Sequence, residues 1–277
     1  MKRMAIEPTL LGTAAMNGAF AANQPTDSFV NMENLSKIYP NGTVALQDVN
    51  LSIREGEFLC FVGPSGCGKS TIFKIITGLS GPSGGKLDIF GTTPKEARKQ
   101  SHTSFVFQDH TLLPWSTVEA NVKLPLELRG GISRKVQQEE AERVLELVGL
   151  KDYMKVLPRQ LSGGMKMRVS IARALISRPK LLLMDEPFGA LDEITRQTLQ
   201  TELLNIWQQD KKMTVLFVTH NVFESVFLST SVVVMTARPG KISAKIEIPV
   251  PFPRDETYRT SAQFGQLVRD VSAALHH

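Results

Sequence analysis

A glycine-rich run at residues 63–71 has the composition and spacing of a phosphate-binding loop. In order, the run contains Gly63, Pro64, Ser65, Gly66, Cys67, Gly68, Lys69, Ser70 and Thr71, which fits the pattern G-x-x-x-x-G-K-[ST]. Glycines let backbone N–H groups approach phosphate oxygens, and the N-terminus of a following helix adds unpaired N–H donors. We expect Lys69 to reach the β- and γ-phosphates and the Ser70 hydroxyl to bind Mg²⁺. A chance glycine-rich turn is the alternative, which the preceding strand and following helix disfavour.

A pair of acidic residues ends an apolar run and could act on the same phosphates. Asp185 and Glu186 follow the run Leu181–Met184, and ligands in open α/β sheets bind at the carboxyl ends of strands. Asp185 would hold Mg²⁺, and Glu186 would polarise the water that attacks the γ-phosphate. By itself such a pair also describes an ordinary solvated strand end, so the interpretation depends on the phosphate loop.

A second surface for anions is predicted at Ser162, Gly163 and Gly164, just before an amphipathic helix. Ser162 can cap this helix, and the two glycines leave its first N–H groups accessible to an anion. A loop with an ordinary N-cap is the alternative for this segment taken alone.

The elements that must position these residues alternate between strand and helix. Phe29–Ile38 and Val44–Ile53, joined by the turn Pro40–Gly42, predict an N-terminal antiparallel pair, and a mainly helical stretch at about 109–177 interrupts the later alternation. The alternation predicts an α/β fold with a mostly parallel sheet and an inserted helical lobe. The other predicted strands are Phe58–Val62, Lys86–Phe90, Thr103–Phe107, Lys180–Met184, Thr214–Thr219 and Val232–Thr236. Predicted helices are Thr71–Leu79, one opened by a Ser116–Glu119 capping box, Val136–Leu147 ending at Gly149, Asp192–Gln209 and Val222–Leu228.

Composition narrows the class of protein. The chain has 277 residues, two cysteines and a formal net charge of +5, without the basic clusters and interleaved aromatics typical of nucleic-acid binding. No apolar stretch is long enough for a membrane span. Residues 1–27 resemble a secretion signal only partly, because Glu7, Pro8 and Asn17 interrupt the apolar run, and they predict a poorly ordered tail. We therefore expect no membrane span in this chain and no nucleic-acid partner.

Residues 28–240 resemble the ATPase subunit of ATP-binding-cassette (ABC) transporters, because the family's motifs occur in the family's order. The matching positions are Tyr39 for the adenine-stacking aromatic, Gly63–Thr71 for Walker A, Gln108 for the Q-loop, Leu161–Met165 for the signature, Met184–Glu186 for Walker B, Ala190–Asp192 for the D-loop and His220 for the switch histidine. Met165 stands where many relatives have Gln, although a subgroup of importers has Met there, and Met167 stands where that subgroup usually has Gln. Ser162 and the two glycines match the family pattern.

The resemblance implies a P-loop NTPase (ABC ATPase) core, an N-terminal antiparallel β subdomain, the helical lobe, and a short C-terminal extension at 241–277. It implies ATP and Mg²⁺ as ligands, with Gln108 near Mg²⁺ and water and His220 on the γ-phosphate. Two copies would pair head to tail, so that each ATP lies between Gly63–Thr71 of one and Ser162–Gly164 of the other. The implied partners are integral membrane permease subunits and, indirectly, an extracytoplasmic solute-binding protein. The implied location is peripheral, on the cytoplasmic face of the inner or plasma membrane.

A finer resemblance concerns the transported solute. The chain is similar to the nitrate/sulfonate/taurine importer branch, which implies import of a small anion. The matching segments are Leu112–Trp115, Leu161–Met165, Phe188–Asp192, Arg238–Gly240 and Pro251–Arg254. Trp115 is expected either to line a groove for a permease helix or to pack in the core of the lobe. A GTPase is disfavoured because the chain lacks Asn-Lys-x-Asp. The missing spans exclude a fused exporter, and a non-transport ABC protein is disfavoured because it usually has two cassettes or a long coiled-coil insertion.

Overall fold

The computed structural model of the chain describes residues 28–236 and 238–276. The predicted tail at 1–27 lies outside the described residues. The domain limits 28–240, 109–177 and 241–277 stay predictions.

The N-terminal strands form a separate antiparallel sheet. It consists of β1 (Ser28–Ile38), β2 (Val44–Arg54) and β4 (Gly84–Ile89), in the order β2-β1-β4. A turn containing Gly42 at φ +79° connects β1 to β2, a conformation that suits glycine. Val30 and Leu35 of β1 are fully buried, so one face of this sheet belongs to the core.

The central sheet has six strands in the order β5-β6-β7-β3-β8-β9. They are β3 (Phe58–Val62), β5 (Thr103–Val106), β6 (Leu181–Asp185), β7 (Thr214–Val218), β8 (Ser231–Met235) and β9 (Ile242–Glu247). All neighbours pair in parallel except β8 and β9, which are antiparallel. β3, β7 and β8 are buried along their whole length, as expected for parallel strands covered on both faces. This arrangement confirms the predicted mostly parallel sheet.

Helices cover the central sheet and form the inserted lobe. They are α1 (Lys69–Ile76), α2 (Pro94–Lys99), α3 (Val118–Arg129), α4 (Arg134–Leu147), α5 (Gly163–Leu175), α6 (Glu193–Gln209), α7 (Val222–Leu228), α8 (Glu256–Arg259) and α9 (Ala262–His276). Helices α3, α4 and α5 lie between β5 and β6 in the chain. Their buried side chains, such as Val122, Leu145 and Met167, join one hydrophobic cluster with those of the sheet.

Two local predictions at helix ends were wrong. Helix α3 is capped by Thr117, whose side chain accepts a hydrogen bond from the Ala120 N–H, so the expected capping box from Ser116 to Glu119 does not form. Helix α1 begins at Lys69 and ends at Ile76, two residues earlier at its start than expected. The earlier start matters because it places the N-terminus of α1 directly on the phosphate loop.

The chain after β9 is anchored by one buried arginine. Arg254 is 3% exposed, and its guanidinium donates hydrogen bonds to the carbonyls of Val226 (3.0 Å), Phe227 (2.9 Å) and Ser229 (2.8 Å). These carbonyls lie at the C-terminal end of α7, where a cation is favourable. Burial lowers the pKa of Arg254 to about 10, so it remains charged at neutral pH.

Within residues 28–236 and 238–276, none of the helices combines the length and the apolar character that crossing a membrane requires.

Candidate functional site

A cleft of about 410 Å³ opens at the carboxyl edge of the central sheet. Its lining contains Tyr39, Thr43, Val44, Ala45, Ser65, Gly66, Gly68, Lys69, Ser70, Thr71, Glu186 and Arg238. Four neighbouring strands supply the chemistry of this edge: β6 leads to Asp185 and Glu186, β7 to His220, β3 to the phosphate loop and β8 to Arg238. The parallel arrangement brings residues far apart in sequence to one place.

The loop at residues 63–71 has the shape of an anion cradle. Gly66 and Gly68 adopt φ of +77° and +99°, which L-residues rarely do. A Cβ on Gly63 would lie 2.8 Å from the Met235 carbonyl oxygen, so the start of the loop also requires glycine. Cys67 is buried, so it contributes its backbone to the loop while its side chain packs beneath it.

Lys69 is held inside this loop by the loop's own carbonyls. The side chain is mostly buried, at 6% exposed, and Nζ donates to the carbonyls of Gly63 (2.7 Å) and Pro64 (3.1 Å). These bonds compensate for burial of the ammonium and fix it within the loop. The arrangement presents a fixed positive charge to a phosphate bound over the loop.

Ser70 and Asp185 form a pair of oxygen donors next to the loop. The Ser70 hydroxyl donates a hydrogen bond to the Asp185 carboxylate. Burial raises the pKa of Asp185 above its ordinary value, the Ser70 hydrogen bond acts in the opposite direction, and the nearby Glu186 charge raises it further. A half-buried carboxylate beside a hydroxyl fits Mg²⁺, which prefers oxygen ligands and would compensate for the partly desolvated negative charge.

Glu186 and His220 contact each other beside the cleft. Glu186 Oε2 lies 3.1 Å from His220 Nδ1. The backbone of Glu186 has φ of +48°, an unusual conformation for a residue other than glycine, and its N–H donates to the Val218 carbonyl at 3.0 Å. Such strain is often found at functional sites, and here it aims the carboxylate from the end of β6 toward the end of β7.

Gln108 approaches the same carboxylate from the start of the helical lobe. The Gln108 Nε2 and Glu186 Oε2 atoms lie 3.8 and 4.0 Å from the position that a Cβ on Gly189 would occupy. Both side chains therefore flank Gly189. In the described part of the chain Gln108 does not line the cleft itself, so it lies near Glu186 without covering the phosphate loop.

Ser162, Gly163 and Gly164 form a separate surface at the start of α5. The Ser162 hydroxyl accepts a hydrogen bond from the Met165 N–H at 3.3 Å, as an N-cap does. Among residues 28–236 and 238–276, these three do not contribute to the cleft lining. The two predicted anion-binding surfaces are therefore apart within one chain.

The cleft contains residues that sequence reasoning did not assign to it. Thr43 precedes β2, Val44 and Ala45 begin it, and Arg238 follows β8. The sequence motif around Arg238 predicts only the family branch. The position of Arg238 was inferable, because β8 is a parallel strand whose carboxyl end must reach the same edge as β3. Tyr39, in contrast, is brought to the cleft as predicted, and its hydroxyl lies 3.3 Å from Thr71 Oγ1.

Comparisons with known proteins agree with this geometry. The family model described as "ABC transporter" matches residues 46–189. An uncharacterized ABC transporter ATP-binding protein of Methanocaldococcus jannaschii is 48% identical over 245 residues, which cover 87% of this chain and 89% of that protein. An aliphatic sulfonates import ATP-binding protein of Bacillus licheniformis is 48% identical over 229 residues, covering 83% of this chain and 86% of that protein.

Among solved structures, the dimeric post-hydrolysis state of an ATP-binding cassette bound to ADP and Pi superposes with a TM-score of 0.70. It is 32% identical, and the match covers 80% of this chain and all of that one. The resemblance drawn from the motifs and the predicted fold class are thereby confirmed.

Proposed function

The chain belongs to the ABC transporter family and is an ATPase, and from that premise we propose that it powers the import of a small organic anion, an aliphatic sulfonate, through separate permease subunits. The observation that supports the proposal is the convergence of the ends of β3, β6 and β8 on one cleft, which Lys69, Ser70 and Glu186 line. Asp185 lies next to Ser70. Adenine would stack on Tyr39, and the triphosphate would lie along the loop.

Each polar residue then has a separate task. Loop N–H groups and Lys69 bind the phosphates, while the Ser70 hydroxyl and the Asp185 carboxylate, with Gln108 nearby, would hold Mg²⁺. Mg²⁺, when bound, would neutralise charge on the phosphate oxygens. Glu186 accepts a proton from the attacking water, and His220 orients the Glu186 carboxylate and donates toward the γ-phosphate.

We propose that two copies complete the site head to tail. In one chain the Ser162–Gly164 surface is separate from the cleft, so a second copy must supply it if both surfaces are to bind the same ATP. The structural relative with ADP and Pi is dimeric, which supports this arrangement. Asp192 caps α6, accepting from the Thr195 N–H at 2.9 Å, and would lie close to the partner copy.

The permease would bind at the helical lobe. Trp115 is 75% exposed, so the alternative that it packs in the core of the lobe is wrong. An exposed indole next to Pro114 is a suitable contact for an apolar partner helix. Permease binding would make the protein peripheral to the cytoplasmic face of the membrane, with a solute-binding protein delivering the anion on the other side.

The assignment of the solute rests on the sulfonate-importer relative and on the branch motifs, because the cleft itself binds only nucleotide. The test is uptake of a labelled alkanesulfonate by cells that lack this gene and receive either the wild-type gene or the Glu186→Gln allele. We expect wild type alone to restore uptake. Equal sulfonate uptake in cells with and without the gene would refute the proposed solute, while ATPase activity of the purified chain would still stand.

A further inference from the structure

Arg238 extends over the phosphate-binding loop from the turn that follows β8. Its Nη2 and Nε atoms lie 3.1 and 3.4 Å from the position that a Cβ on Gly66 would occupy. Arg238 is exposed and lines the cleft together with Tyr39 and Lys69. The guanidinium therefore lies against Gly66 of the loop, whereas the Lys69 ammonium is held by carbonyls of the loop itself.

The turn that carries Arg238 is fixed to the loop and to β2. The Gly240 N–H donates to the Ala45 carbonyl at 3.1 Å, and the Gly240 carbonyl accepts from the Gln47 N–H at 3.0 Å. A Cβ on Gly240 would lie 2.0 Å from the Cys67 carbonyl oxygen, so only glycine permits this approach. The backbone next to Arg238 is thus anchored to both walls of the cleft.

Arg238 has no ion-pair partner in the part of the chain that the structure describes. Among residues 28–236 and 238–276, no carboxylate oxygen lies within 4.0 Å of its guanidinium, unlike the Arg196 and Arg259 side chains, which pair with glutamates. A guanidinium is planar and matches two phosphate oxygens at once. An arginine without an internal partner above an anion cradle is therefore available to a bound anion.

We propose that Arg238 binds the phosphate chain of the nucleotide, as a second side-chain cation of the cleft in addition to Lys69. The proposal deepens the proposed function of the cleft and rests on it. Contact with the phosphates is favoured over contact with the base because the guanidinium lies against Gly66 of the phosphate loop. Arg238 would then raise affinity for any nucleoside di- or triphosphate without selecting the base.

The test compares nucleotide binding by the full-length wild type, Arg238→Gln and Arg238→Lys, measured by titration calorimetry with ATP, ADP and GTP. Lys241→Gln is the matched control, since Lys241 is an exposed cation of the same turn that is not part of the cleft lining described here. Loss of one charge-assisted phosphate contact is expected to weaken binding about 10-fold. We expect this loss for all three nucleotides in Arg238→Gln, partial recovery in Arg238→Lys, and unchanged affinity in Lys241→Gln.

The salt dependence of binding gives a second measurement. A phosphate contact makes affinity fall with rising salt, so Arg238→Gln is expected to show a shallower decline than wild type. Equal affinities of Arg238→Gln and wild type would overturn the inference and leave the proposed function intact. A loss confined to ATP and ADP, with GTP unaffected, would overturn it in favour of a base contact. Failure of the wild type to bind ATP would instead refute the proposed function of the cleft, and this inference with it.

Discussion

The nucleotide cleft and the C-terminal segment (residues 248–276) use arginine in opposite ways. Arg238 is exposed beside the phosphate loop and forms no ion pair with a carboxylate in the described part of the chain. Arg254 is 3% exposed and donates hydrogen bonds to backbone carbonyls of α7, and also to those of Ile248 (3.4 Å) and Val250 (2.9 Å). A buried guanidinium must find its acceptors inside the fold, whereas one beside a cleft can keep its donors for a ligand. We therefore expect substitutions in the cleft to change nucleotide binding and turnover, and substitutions in the C-terminal segment to change the free energy of unfolding.

Loss of the proposed general base, Glu186, should have the largest effect on turnover. Glu186→Gln is expected to retain ATP binding and to lose about 10²–10⁴-fold in turnover, because the amide cannot accept the proton of the attacking water. Turnover and nucleotide affinity are measured on the purified protein. The control is Glu247→Gln, an exposed residue of β9 that forms a surface ion pair with Arg54 at 3.6 Å. Near-normal hydrolysis by Glu186→Gln would remove this residue from the role.

Removal of the buried arginine should have the reverse effect. Arg254→Met leaves several buried carbonyls without donors, which we expect to lower the free energy of unfolding by about 2–4 kcal/mol. Chemical denaturation measures this change, and nucleotide affinity at low temperature is expected to remain at the wild-type level. Arg269→Met is the control, since Arg269 is exposed on α9. If both variants are equally stable, the buried arginine does not anchor the C-terminal segment.

Removal of the exposed Trp115 side chain should change neither the stability nor the basal ATPase activity of the isolated chain. Trp115→Ala is expected to keep its melting temperature and basal ATPase activity, because surface substitutions usually change stability by less than about 0.5 kcal/mol. Permease binding and anion uptake should fall, since the indole is proposed to contact the permease. Leu79→Ala, a change at another exposed apolar residue (61%), serves as control and should leave both intact. A melting temperature well below wild type would show that Trp115 supports the fold.

The smallest effect on stability is expected at Glu224, which a hydrogen-bonded chain through Gln200 connects to Arg259 of the C-terminal segment. Glu224 is buried beside His220 and accepts from Gln200 Nε2 at 2.8 Å, and Arg259 Nη2 donates to Gln200 Oε1 at 2.7 Å. Burial raises the pKa of Glu224, so the folded chain keeps this proton after the unfolded chain has lost it. Stability from this group therefore falls as pH rises from the ordinary carboxyl range through the raised pKa of Glu224.

Glu224→Gln removes the titratable carboxyl, so the free energy of unfolding of this variant should fall less than that of wild type as pH rises. Denaturation at a series of values from about pH 4 to about pH 8 measures the difference. At the acidic limit, where the carboxyl is protonated in both states, the two proteins should differ least. Parallel stability curves for the two proteins across this range would contradict the raised pKa.

The sequence predicts elements that depend on local patterns, but not contacts between distant parts of the chain. Strand β3 and helix α7 were found with the predicted limits Phe58–Val62 and Val222–Leu228, because a short apolar run and a capped amphipathic run are local patterns. The buried spacing of Phe264, Val268 and Val271 could also have indicated α9. The acceptors of Arg254 at the end of α7 could not be predicted, since these backbone carbonyls lie 25 to 28 residues earlier in the chain.

The central claim is that ATP is hydrolysed between the cleft of one copy and Ser162–Gly164 of another, and mixing two inactive variants tests it most directly. Ser162→Arg blocks one surface, and Lys69→Ala damages the other, so each protein alone should be nearly inactive. Mixed, they form heterodimers that contain one intact composite site, and ATPase activity should reappear. If the mixture stays inactive under conditions in which wild-type subunits exchange and pair, the composite site does not exist in this protein.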